Sequence, residues 1–283
     1  MPNIFQEGAM TTGHAGQLAF ERRGEGPPVV LLHGIGHDRH GWDPVTDRLT
    51  PHHELVLADL PGHGGSPLSH GGGPLGVIEL TDRVERLLDE LHLDSPLIAG
   101  NSLGGAIALE LARRGRARGV VALAPIGFWS RLEVAYVVAA LRGSRGLARL
   151  LAPLLPALVR RSVVRATMMG LYFAHPLRLS ADETLRTMRA FADAPGVRAI
   201  LPYSRHYLFG SGRGIDQEAI TIAWGTRDLL LIGGQARRAR RLLPAARHVR
   251  LAGSGHVPMS DDPAGVAGLI LAQGRRKPSG RSS

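Results

Sequence analysis

Three polar residues stand where the chain leaves short buried strands. They are Ser102 in Gly100-Asn101-Ser102-Leu103-Gly104-Gly105, Asp228 in Trp224-Gly225-Thr226-Arg227-Asp228, and His256 in Gly253-Ser254-Gly255-His256. A serine hydroxyl at its ordinary acidity is a weak nucleophile. It becomes useful when a histidine takes its proton and a carboxylate holds that histidine in the right tautomer. Ser102 has the setting such a nucleophile needs. The apolar run Pro96-Leu97-Ile98-Ala99 enters a turn framed by glycines and passes straight into the helical stretch Ala106 to Arg114. Glycines at 100, 104 and 105 remove the β-carbons that would collide where strand and helix meet so closely. The turn also places Ser102 at a helix N-terminus, beside free backbone N–H groups.

Those residues need a frame, and the rest of the chain supplies one. Short unbroken apolar runs, of the kind buried on both faces of a parallel sheet, recur at 28–32, 54–58, 96–99, 119–124 and 219–224, with a last strand at 248–251. A looser alternation at 17–23 reads as an early strand after an N-terminal hairpin or arm. Helices intervene. Asp43 as N-cap with Pro44 behind it announces one. Residues 77–91 place Leu80, Val84, Leu87 and Leu88 on one face and charges on the other. The order strand, helix, strand, helix predicts a mostly parallel sheet of about eight strands with helices on both faces. In such a sheet catalytic side chains gather at the carboxyl ends of the strands. That location selects Asp228 over Asp216 and Glu218, which precede their strand. Asp261 and Asp262 read as caps for a final helix that starts at Pro263.

The alternation stops between 127 and 216, where helices are expected at 132–141, 147–159, 163–173, 181–192 and 197–208, punctuated by Pro153, Pro156, Pro176 and Pro202. This reads as a helical insertion on a core made of residues 1–126 and 217–283. Residues 274–283 are polar and basic and read as a disordered tail.

Composition narrows the function classes. The chain of 283 residues is 44% hydrophobic and 20% charged and has no cysteine, so neither a disulfide nor a cysteine metal site can form. The N-terminus lacks the basic and apolar regions of a signal peptide, and the apolar stretch 150–159 is too short for a membrane span. A cytoplasmic protein without membrane attachment is therefore expected. The net charge of +10 comes from 34 basic residues, all arginine except Lys277, with no aromatic interleaving and no nucleic-acid motif. Solvated arginine surface, rather than a nucleic-acid partner, is the expected reading. No cluster has metal-ligand spacing and no phosphate-cradling glycine loop occurs, so no cofactor is expected.

Taken together these residues resemble the α/β-hydrolase superfamily over nearly the whole chain. Gly100-Asn101-Ser102-Leu103-Gly104 is similar to its nucleophile elbow, and Ser102, Asp228 and His256 follow its triad order. His33-Gly34 resembles its oxyanion loop, Asp59 to Ser66 its Asp-x-x-Gly-x-Gly-x-Ser turn, and residues 127–216 its variable lid. The resemblance implies Ser102 as nucleophile, His256 as base and then acid, Asp228 as the orienting carboxylate, and the backbone N–H groups of Ile35 and Leu103 as the oxyanion hole. It implies a serine hydrolase acting on a carboxylic ester or thioester of a small, mostly apolar molecule. Carbon–carbon bond hydrolysis, acyl transfer, perhydrolysis and a receptor without turnover remain as alternatives. Val257, where the diketone hydrolases usually carry tryptophan, argues against the first of these. Met168, Met169 and Phe173 are expected to pack in a core rather than line a pocket, and His37, His40 and His63 to be exposed or structural. Arg142, Arg145, Arg160, Arg161 and Arg165 leave room for an anionic substrate group if any faces inward.

Overall fold

A computed structural model describes residues 10–68, 74–232 and 234–276. Residues 277–283 of the expected tail lie outside the described residues. Eight strands form one sheet: β1 (Thr11–Ala15), β2 (Leu18–Arg23), β3 (Val29–Leu32), β4 (Leu55–Ala58), β5 (Leu97–Asn101), β6 (Gly119–Leu123), β7 (Ile220–Gly225) and β8 (Arg247–Leu251). Their spatial order is β1-β2-β4-β3-β5-β6-β7-β8. The first two form a hairpin, β2 runs antiparallel to β4, and every later pairing is parallel.

The unbroken apolar runs have a simple cause. Successive strand side chains point to opposite faces, and both faces are covered. Val30, Val56, Ile98, Val120 and Ile220 are in register across the sheet and belong to one hydrophobic cluster. Val29, Leu55 and Leu97 are their neighbours on the other face and belong to a second cluster. Helices α2 (Val77–Glu90) and α3 (Leu103–Arg113) supply the first layer, and α1 (Asp43–Leu49) part of the second. The acidic face of α2 meets arginines: Arg114 pairs with Asp82 and Glu85, and Arg116 with Glu85 and Asp89.

Between β6 and β7 come five helices, α4 (Arg131–Leu150), α5 (Leu155–Leu158), α6 (Ser162–Met169), α7 (Ala181–Asp193) and α8 (Pro195–Ser204). The core resumes with α9 (Gln235–Leu242), then α10 (Pro258–Asp261) and α11 (Pro263–Gly274). Two expectations need correction here. The helices expected at 132–141 and 147–159 are one 20-residue helix followed by a short turn of helix, because Gly143 and Gly146 sit on an open face and do not interrupt α4. At the start of α1 the capping position is Trp42, one residue before Asp43.

The two ends of this helical segment meet at its base. Phe209 N–H donates to Gly127 O (3.0 Å), Trp129 Nε1 donates to Tyr207 O (3.1 Å), and the Phe128 and Phe209 rings lie 5.0 Å apart. Among the described residues no helix is long and apolar enough to cross a membrane.

Candidate active site

The turn after β5 holds Ser102 at φ 55°, ψ −111°, a region that costs energy for any residue with a side chain. Its surroundings over-determine it. Ser102 N–H donates to Leu123 O (2.8 Å), and Ser102 O accepts from Ala106 N–H (3.1 Å) and Ile126 N–H (3.2 Å). A β-carbon on Gly100 would lie 2.2 Å from Gly104 O, and one on Gly104 would lie 2.3 Å from Leu32 O. Helix and strand are therefore packed backbone to backbone, and only glycine fits at those two positions.

Asp228 and His256 meet after β7 and β8. His256 Nδ1–H donates to Asp228 Oδ2 at 2.9 Å, while Asp228 Oδ1 accepts from the N–H groups of Leu230 (2.9 Å) and Leu231 (2.8 Å). Both side chains are buried. Burial alone would raise the Asp228 pKa; the charge and hydrogen bond of His256 and the two backbone donors outweigh it, and the carboxyl stays below its usual range. His256 Nε2 has no hydrogen-bond partner among the described residues, and His256 and Ser102 line the same cavity. Ser102 Oγ makes no hydrogen bond among the described residues, to His256 or otherwise.

Asn101 carries no sequence signal beyond its place in the turn. Its Nδ2 donates to Leu123 O (3.2 Å) and His256 O (3.0 Å), tying the serine turn to the histidine loop. The histidine loop is also held from the helical segment, since Tyr172 O accepts from both His256 N–H (2.9 Å) and Val257 N–H (3.1 Å). Asp261 is not a helix cap, contrary to the sequence expectation. The cap of α11 is Asp262, which accepts from Gly265 N–H at 2.9 Å. Asp261 instead accepts from Gly255, Ala174 and His175 N–H.

Residues 33–36 follow β3 and are set by two buried histidines. His33 Nδ1–H donates to Gly34 O (2.7 Å) and its Nε2 accepts from Leu60 N–H (2.9 Å). His63 Nδ1–H donates to Pro61 O (3.0 Å) and its Nε2 accepts from Gly36 N–H (3.0 Å). Each ring thus spends one nitrogen as donor and one as acceptor, which requires the neutral form. Burial, reinforced by His33, pushes the His63 pKa down to about 3, and burial lowers that of His33 too. The N–H groups of Ile35 and Leu103 have no partner among the described residues, and both residues line the cavity with Ser102.

The cavity has a volume of about 260 Å³. Its far wall comes from the helical segment, with Leu141 of α4, Met168 and Met169 of α6, Met188 and Phe191 of α7, and Leu201 of α8. Met168, Met169 and Phe173 therefore do line a pocket, although Met169 and Phe173 also belong to a core cluster as expected. His37 borders the cavity, half-buried, and its Nδ1 accepts from Asp38 N–H at 3.0 Å. No Asp, Glu, Lys or Arg lies among the lining residues. Arg142, Arg145, Arg160, Arg161 and Arg165 are not among them; Arg145 reaches Ala194 O (3.3 Å) and Arg165 reaches Val159 O (2.8 Å). Among the described residues no group of three or more His, Asp or Glu is arranged as a metal site.

Known proteins agree with this architecture. An uncharacterized protein of Mycobacterium tuberculosis is 29% identical over 270 residues, covering 92% of this chain and 78% of that one. A pimeloyl-[acyl-carrier protein] methyl ester esterase of Nitrosospira multiformis is 44% identical over 104 residues, covering 36% of this chain and 38% of the esterase. The crystal structure of a putative lipase from Acinetobacter baumannii superposes with a TM-score of 0.72 at 20% identity, over 95% of this chain and 93% of that one. The alpha/beta hydrolase family model matches residues 29–269, nearly the whole described fold, and the chain belongs to that family.

Proposed function

We propose that this hydrolase is a serine esterase or thioesterase that works through a Ser102 acyl-enzyme, without a cofactor. One observation carries the reading. A strained serine, two unpaired backbone N–H groups and a histidine bonded to a buried carboxylate all border a single apolar cavity. In the first half-reaction His256 Nε2 takes the Ser102 Oγ proton as Oγ attacks the substrate carbonyl carbon. The charge that develops on the carbonyl oxygen is met by the N–H groups of Ile35 and Leu103; losing one such donor typically costs about 10²–10³ in turnover. The imidazolium, balanced by Asp228, returns its proton to the departing alcohol or thiol. Water repeats the sequence on the acyl-enzyme and regenerates Ser102.

The substrate class follows from the walls. An apolar cavity without a charged side chain favours an uncharged, mostly hydrocarbon acyl group and disfavours an anionic one. Because that wall is built by α4, α6, α7 and α8, residues 127–216 act in this reading as the lid of a core formed by 1–126 and 217–283. The test is Ser102→Ala, assayed with p-nitrophenyl esters of graded chain length, acyl thioesters and a vinylogous diketone. The variant is expected to fold, to lose ester turnover and to escape labelling by a serine-directed phosphonate. Undiminished turnover in Ser102→Ala overturns the assignment, and diketone cleavage without ester cleavage transfers it to carbon–carbon bond hydrolysis.

A further inference from the structure

Asp261 is a buried carboxylate that the proposed chemistry does not use. It sits at the end of α10, five residues beyond His256, and all of its side-chain hydrogen bonds go to backbone. Oδ2 accepts from Gly255 N–H (2.8 Å) and Ala174 N–H (2.9 Å), and Oδ1 accepts from His175 N–H (2.9 Å). One carboxylate therefore bridges the residue immediately before His256 to a stretch of chain more than eighty residues away. The same stretch makes a second bridge, because Tyr172 O accepts from both His256 N–H and Val257 N–H. Residues 172–175 and 255–257 are laid side by side, with the N–H groups of 174, 175, 255, 256 and 257 received by Asp261 or Tyr172 O. Arg178, further along the helical segment, donates to Asp261 O at 3.0 Å.

The contact is tight as well as polar. A β-carbon on Gly255 would lie 2.7 Å from Ala174 N, 2.9 Å from Tyr172 O and 3.1 Å from Asp261 Oδ2. The two stretches cannot slide without breaking bonds to a buried charge, which are among the stronger hydrogen bonds in a protein. Tyr172 and Phe173 also line the cavity. The segment that shapes the pocket and the loop that carries His256 are thus a single joined unit.

We propose that Asp261 is a positioning residue that locks the His256 loop to the helical segment, so that the seating of that segment sets the aim of the histidine. The proposal rests on the hydrolase reading for its kinetic consequence but not for the coupling itself. Asp261→Asn keeps size and shape, yet its amide can accept on one side only and turns its NH₂ toward the donors on the other. A displacement of the base by a fraction of an ångström to an ångström is costly in turnover. The expected result is a kcat lower by roughly 10- to 100-fold on a p-nitrophenyl ester, with KM changed less than about threefold. Gly255→Ala, which wedges the same seam apart and leaves the carboxylate in place, should reproduce that split. Asp261→Glu, which retains the charge, should recover part of the loss. Asp262→Ala, next door, removes the α11 cap and should lower Tm while leaving kcat as it is.

Hydrogen exchange supplies the arm that needs no substrate. In Asp261→Asn, peptides covering 170–176 and 253–258 should both exchange faster, by about tenfold or more, while α2 and α3 keep their protection. Unchanged exchange at 253–258, or a kcat within twofold of the parent despite faster exchange there, overturns the proposal. Absence of Ser102-dependent turnover in the parent protein overturns the hydrolase reading instead, and the exchange result then decides the coupling alone.

Discussion

Replacing His63 by glutamine separates two consequences of burying that ring. The ring receives Gly36 N–H on Nε2 and donates from Nδ1 to Pro61 O, so it serves the 33–36 loop only while neutral. Its pKa in the folded protein is held at about 3, against 6.5 for the exposed side chain. A histidine with a depressed folded pKa leaves stability intact above pH 6.5 and withdraws it as pH falls from 6.5 toward 3, because the unfolded chain takes up a proton that the folded one refuses. At pH 4.5, two units below the unfolded value, the withdrawal is about 2.7 kcal/mol at about 1.36 kcal/mol per unit. Glutamine can offer Oε1 to Gly36 and its NH₂ to Pro61 without titrating. It should therefore cost about 1 kcal/mol at pH 7 through imperfect packing and then lose about 2.7 kcal/mol less than the parent between pH 7 and pH 4.5. Urea unfolding at the two pH values, fitted with shared m-values, measures both quantities. His33 is also depressed but is present in both proteins, so its contribution largely cancels. An equal pH-dependent loss in parent and variant, within about 0.5 kcal/mol, would show that His63 is not held neutral by burial.

Further outcomes can be checked with the same preparations. Asp228→Asn keeps the Leu230 and Leu231 donors within reach of its amide oxygen but presents the wrong partner to His256 Nδ1, so kcat should fall by about 10⁴. The lowered pKa of Asp228 contributes stability above its unfolded value that fades as pH falls, and the asparagine variant should lack that acid limb in a pH series of thermal melts. Asn101→Ala frees His256 O and Leu123 O from their shared donor; an unfolding free energy lower by about 1–2 kcal/mol is expected, with a kcat loss that a stability-neutral surface variant does not show. Phe191→Ala enlarges the cavity wall beside Tyr172, whose ring lies 6.1 Å away edge-on. The preferred acyl chain in a p-nitrophenyl series should lengthen by roughly two to four carbons, and an unchanged optimum would remove Phe191 from the acyl-binding wall.

Much of the fold is readable from residue order because its causes are local. Val29 to Leu32, Leu55 to Ala58 and Val120 to Leu123 are apolar at every position since both faces of the sheet are covered, and turn residues or charges close each run within a residue or two. Ser102 stands out because Gly100 and Gly104 are forced by close backbone contacts, to Gly104 O and to Leu32 O. The helical segment is harder to read. Glycines at 143 and 146 look like breaks but face open space, and Met168 can pack or line a pocket at the same helical spacing. Asp261 misleads for a physical reason as well. An aspartate just before Asp262-Pro263 fits a cap on local grounds alone, while its actual partners at 174 and 175 become visible only when two distant segments are laid together. His63 is similar: a histidine in a glycine-rich turn gives no sign that it will be buried against Gly36.

The base of the helical segment has a bearing on how such a protein can be rebuilt. Because Gly127 is bonded to Phe209 and Trp129 to Tyr207, the segment leaves the core and returns to it at one spot. It is an excursion closed at its base, so exchanging it need not lengthen the strands on either side. A chimaera that borrows helices from a relative would inherit a new pocket by that route. It would keep a working histidine only if the graft also brought a carbonyl and two amide groups into place against residues 255–257 and 261, so the unit of exchange is the helical segment together with its seam.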